Sequence, residues 1–131
     1  MASLAAEVLR QTPEYTHFAP GAHFKWVLFV PPSPDPYPEV TKTLRTALKK
    51  KYSLYDKRAD LPASSIEKTP AGEGYVGGFQ FTVTIKQLDK DKIEVQYNDF
   101  ENPIAAGDQT IRYQWIKGAW KEIWRSAMAV S

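Results

Sequence analysis

The chain has 131 residues, which fits one domain and is long enough to bury roughly two thirds of its unfolded surface. Seventeen Lys and Arg against 15 Asp and Glu leave a formal charge of +2, so no charge excess points to nucleic acid or an anionic membrane. Cysteine is absent, which excludes disulfides, thiolate zinc sites, iron–sulfur clusters and cysteine nucleophiles.

The first segment, Ala2 to Gln11, has Leu4 and Val8 on one side and is expected to form a short helix. Glu7 and Arg10 interrupt its apolar patch, so it does not read as a secretion signal. Thr12 to Ala22 reads as loop. The run FKWVLFV at 24–30 is aromatic and β-branched, and it predicts a strand buried on both faces. It is too short to span a bilayer, and the expectation is a cytoplasmic protein with no membrane contact. The whole chain reads as one domain, with 1–23 an N-terminal helix and loop and 24–126 a helix-plus-sheet core.

PPSPDPYP at 31–38 has five prolines, which stop both helix and central strand, so it is a rigid connector. Pro38 and Glu39 suit a first helical turn, and Val40, Leu44, Ala47 and Leu48 follow at helical spacing. Lys49, Lys50 and Lys51 sit where cations meet the free carbonyls of a last turn, so the helix spans 38–51. Tyr52 to Asp56 predicts a short strand, and polar Lys57 to Gly74 predicts a long loop. Beyond it the period changes to two. Phe79, Phe81, Val83 and Ile85 alternate with polar residues, as do Ile93, Val95 and Tyr97, and Ile111, Tyr113 and Trp115. Asp89 to Lys92 is a turn, and Lys117-Gly118 is a tight hairpin into a last strand, Ala119 to Ser126. The outer sheet face, with Gln80, Thr82, Thr84, Lys86, Gln96, Arg112, Gln114 and Lys121, is expected to be wet. A monomer or weak homodimer follows.

Motifs for chemistry are few. Gly72 to Gly77 matches G-x-G-x-x-G, but no helix follows to hold a pyrophosphate, and Gly77-Gly78 marks a bulge or a bent strand start. His17 and His23 lie in a Pro/Gly loop without ligand spacing, so no metal and no cofactor is expected. Position singles out two acids. A two-residue turn at Lys117-Gly118 pairs Trp115 with Trp120 and Tyr113 with Glu122, which puts Glu122 on the apolar face with Trp120 and Trp124. Asp99 continues the Ile93, Val95, Tyr97 face. A carboxylate on such a face either sits at an open rim or is hydrogen-bonded. A bulge in the last strand would turn Glu122 outward. The catalytic candidates are therefore Glu122, Asp99 and Tyr113. The candidate ligand surface is Tyr97, Tyr113, Trp115 and Glu122.

One main helix followed by four meandering strands resembles the cystatin-like and nuclear-transport-factor-2-like α+β folds. The stretch YNDFENPIAAGDQTIRYQWIKGAWKEIW at 97–124 is similar to the hairpin that closes many small bacterial domains, with Tyr113, Trp115, Gly118, Trp120 and Ile123 in comparable places. The resemblance covers roughly residues 38–126. It implies an α+β fold with one main helix on a curved antiparallel sheet of four to five strands. Catalytic relatives commonly use a His/Asp pair in a cone-shaped pocket, and neither His17 nor His23 falls in the expected sheet; the Q-x-V-x-G hairpin of cystatin inhibitors is also absent. Three functions stay open: a non-catalytic binding or accessory domain using the concave face or adjoining loops, a small pocket enzyme, and an inhibitor- or immunity-like module. The partner is then a protein or a small molecule.

Overall fold

In the computed structural model, residues 24–103, 105–127, 129 and 130 are described. The expected helix 2–11, the loop after it, and both His17 and His23 lie outside the described residues. Strand β1 (Trp26–Val30) runs into the proline connector and then helix α1 (Pro38–Lys51). Strand β2 (Ser53–Tyr55) follows, then a hairpin of β3 (Ile66–Thr69) and β4 (Gly72–Tyr75). A meander of β5 (Gly78–Asp89), β6 (Lys92–Asn102), β7 (Ala105–Ile116) and β8 (Ala119–Arg125) completes the sheet, with a short β9 (Ala129–Val130) against β7.

The main sheet runs β2-β1-β5-β6-β7-β8, and β1 is parallel to both of its neighbours. This corrects the expected antiparallel sheet of four to five strands: the sheet is mixed and has seven strands, counting β9. The reason lies in β1. A strand followed by a helix and a second parallel strand is a crossover unit, which needs a connection of about a dozen residues or more. The connector and α1 supply that length. The helix is therefore the bridge between β1 and β2 and not a separate layer ahead of a meander.

Helix α1 starts and ends as the sequence directs. Asp35 in the connector accepts the Tyr37 amide at 3.0 Å and the Thr41 hydroxyl at 2.7 Å, which ties the proline segment to the first turn. Val40, Leu44 and Leu48 are buried against the sheet, with Ala47 at the margin. They meet Val27, Phe29, Phe79, Phe81, Val83, Ile85, Ile93, Val95, Ile111 and Tyr113 in one core. The Arg45 guanidinium lies 5.3 Å from the Phe29 ring centre and pairs with Asp56 beyond β2.

The other sheet face departs from the expected wet surface. Thr84, Lys86, Gln96, Arg112 and Lys121 are exposed, but one end is roofed by the β3–β4 hairpin. There Trp26, Leu28, Leu61 and Tyr75 form a second core, with Tyr55, Ile66 and Phe100 packed against it. The segment 57–74, expected as loop, thus holds two strands. Its Glu, Lys and Gly residues are poor strand formers, and pairing with burial of Ile66 and Tyr75 outweighs that preference.

Glycines let the roof sit close. A side chain at Gly78 would begin 2.0 Å from the Trp26 indole. Gly77, at φ +74, makes the turn into β5. The Trp26 indole nitrogen donates to the Val76 carbonyl at 3.0 Å, and the Lys25 amide to Gly77 at 2.7 Å. The G-x-G-x-x-G match is therefore a strand and a turn folded over a tryptophan.

Candidate functional site

The β7–β8 hairpin has the expected register: Ile116 faces Ala119, Trp115 faces Trp120, and Tyr113 faces Glu122. The ladder then shifts, and Arg112 faces Trp124. The extra residue, Ile123, rotates the end of the strand. Trp124 is thereby carried off the helix-covered face. It lies on the outer face, with the Arg112 guanidinium 4.6 Å from its ring.

Glu122 is engaged by a neighbouring cation. Arg125 donates to both of its carboxylate oxygens, at 2.6 and 3.1 Å, and the two side chains are 37% and 40% exposed. Donating these hydrogen bonds to Glu122 raises the Arg125 pKa, partly opposed by burial. Tyr113 and Tyr97 are buried with their hydroxyls 3.2 Å apart. Trp115 is 39% exposed and meets Trp120 edge to face at 5.4 Å. Asp99 is buried, 8% exposed, on the face expected. It lies opposite Gly107, however, six residues along β7 from Tyr113. At about 3.4 Å per residue that is roughly 20 Å of strand. The structure thus brings Tyr97, Tyr113 and Glu122 into one neighbourhood, with Asp99 next to Tyr97 on the same face of β6 but away from Tyr113 and Glu122.

A cleft of about 220 Å³ opens beneath the β3–β4 hairpin, lined by Arg58, Glu73, Gly74, Tyr75, Gln80 and Phe100. Three strands and a short turn build it. The β4 strand supplies Glu73, Gly74 and Tyr75, β5 supplies Gln80, and β6 supplies Phe100. Arg58 comes from a short 3-10 turn, Arg58–Asp60. Gly74 lets β4 cross the end of β6: a Cβ there would lie 2.7 Å from Asn102 Cβ. The Tyr75 ring meets Trp26 edge to face at 5.3 Å and Phe100 at 6.0 Å. Its hydroxyl donates to Gln80 Oε1 at 2.8 Å, and Gln80 Nε2 donates to Thr82 at 3.3 Å. Arg58 and Glu73 form an ion pair at the mouth. Burial raises the Tyr75 pKa; the Arg58 charge works against this and the Glu73 charge adds to it.

No family model, no curated protein and no solved structure matches this chain. Among the described residues no group of His, Asp and Glu could hold a metal ion, and no helix is long and apolar enough to cross a membrane.

Sequence reasoning missed Arg58, Tyr75, Gln80 and Phe100 as a set. One signal pointed to them. In β6, Ile93, Val95, Tyr97 and Asp99 share a face, so Phe100 falls among Glu94, Gln96 and Asn98 on the polar one. An aromatic there marks a covered patch. So does the run at 24–30, because Trp26 and Leu28 need their own cover.

Proposed function

We propose that this chain is a non-catalytic binding domain that takes a small ligand in the cleft beneath the β3–β4 hairpin. The observation that carries the reading is the cleft itself. It combines two aromatic rings, a side-chain amide and an ion pair, which is the mixture of apolar wall and few polar groups that small-molecule sites use. Its volume, about 220 Å³, lies below the range of about 300–1,000 Å³ for drug-sized guests, so it suits one ring or one side chain.

Its groups support binding over catalysis. Arg58 is engaged by Glu73, and Tyr75 is held in its neutral form by burial. No base stands against a nucleophile there. Around Glu122, the guanidinium of Arg125 occupies both oxygens that acid–base work would need. A monomer fits the same picture. The edge strand β8 carries a register shift and the charges Lys121 and Glu122, devices that discourage strand pairing between copies.

Titration with single-ring fragments such as benzamide and p-cresol, followed by side-chain NMR, tests this. Shifts centred on Tyr75, Gln80 and Phe100, absent in a cleft-filling Gln80→Phe variant, are expected. Shifts centred on Trp115 and Tyr113, or none at any fragment concentration, would refute the cleft as the site.

A further inference from the structure

The mouth of the cleft carries one charge of each sign. Arg58 and Glu73 are side by side, each about half exposed, and each is the other's partner. A guest with a lone anion would take Arg58 and strip Glu73 of its partner. A guest with a lone cation would do the reverse. Either exchange separates two half-exposed charges, a loss of up to about 1 kcal/mol that offsets part of the gain. A guest bearing both charges on neighbouring atoms exchanges one ion pair for two.

Behind the mouth, Tyr75 and Phe100 stand edge to face with centres 6.0 Å apart. They offer an apolar wall to whatever projects inward. The floor is tied up, since the Tyr75 hydroxyl and Gln80 bond each other. The inner part of the guest therefore needs no strong polar group.

We infer, building on the reading of this cleft as a ligand site, that its guest is a zwitterion of the α-amino-acid class. The carboxylate meets Arg58, whose planar fork suits it. The ammonium meets Glu73. An apolar or single-ring side chain lies against Tyr75 and Phe100, within the space of about 220 Å³.

Four probes separate this inference from the reading beneath it: L-phenylalanine, L-phenylalaninamide without the carboxylate, N-acetyl-L-phenylalanine without the ammonium, and N-acetyl-L-phenylalaninamide with neither charge. Each is titrated into the labelled full chain while the Tyr75 and Phe100 ring signals are followed. The zwitterion is expected to bind several-fold more tightly than any of the other three, the margin that half-exposed ion pairs supply. Arg58→Glu and Glu73→Arg are each expected to remove that preference, and the double exchange, which keeps one charge of each sign, to restore it. The pair is solvent-exposed, so these variants keep the fold. Equal binding of all four probes would overturn the zwitterion inference and leave the cleft as a ligand site. Tightest binding of either singly charged probe would do the same. Failure of these probes together with the ring fragments would overturn both.

Discussion

The two faces of the sheet are built differently. One is closed by helix α1, whose Val40, Leu44 and Leu48 meet a wall of Val, Ile and Phe. The other is closed only at one end, by a hairpin that rests on Trp26, Leu28, Leu61 and Tyr75. The first core is mostly aliphatic and Phe side chains, joined toward β8 by Tyr97, Tyr113 and Trp120, with the two Tyr hydroxyls 3.2 Å apart. The second leans on Trp and Tyr, whose polar tips find the Val76 carbonyl and the Gln80 amide. The helix covers its face as far as Tyr113 and Trp120, beyond which Trp115 and Glu122 are exposed, and the short hairpin leaves a mouth beside Arg58 and Glu73. The hairpin's partial cover leaves room for a guest at its edge.

The contrast sets an order of mutational effects. Leu44→Ala opens the sealed core and should cost about 2–5 kcal/mol in denaturant melts. A loss under about 0.5 kcal/mol, typical of surface sites, would show that α1 does not pack as described. Gly78→Ala drives a methyl group into the Trp26 indole and should cost about 3 kcal/mol, the top of the usual range for overpacking. An unchanged melting curve would mean that the Trp26 indole does not lie over Gly78. Tyr75→Phe removes the bond to Gln80 but keeps the ring, for about 0.5–1.5 kcal/mol. The same variant has a pH signature. The Tyr75 pKa is raised above 10.0 in the folded chain, so its contribution is complete below pH 10.0 and lost as pH climbs through the folded value. Tyr75→Phe should flatten that part of the alkaline stability loss; identical slopes in the two proteins would contradict it. Smallest of all, Glu122→Gln breaks an exposed ion pair and should cost less than about 1 kcal/mol. A cost of several kcal/mol would reveal a structural role that its exposure does not indicate.

The helix-covered face was the legible one. Period-two alternation in 79–85 and 93–97 and helical spacing in 40–48 are signals of one-sided burial, and each points at the other. The turn at Lys117-Gly118 fixed its register up to Glu122, because a two-residue loop leaves no freedom. It could not foretell the shift at Ile123, since a bulge has no composition of its own, and Trp124 therefore sits on the opposite face. The parallel seating of β1 was hidden because strand order depends on long-range pairing and not on local pattern. The hairpin 66–75 was hidden because its strands are held by Ile66 and Tyr75 among polar neighbours, too few for periodicity to register. The candidate acids were found in the right face and register. Their role could not be read, because the partner that engages Glu122 lies past the bulge, at Arg125.

The central claim is that the hairpin docks on the second face and frames a cleft there. Through-space NMR contacts between the Tyr75 ring and its neighbours test it most directly. Strong cross-peaks from Tyr75 to both the Trp26 indole and the Phe100 ring, at centre separations of 5.3 and 6.0 Å, are the result expected. Tyr75 ring signals at random-coil positions, with cross-peaks to neither residue, would show the hairpin standing free of the sheet and would contradict the account.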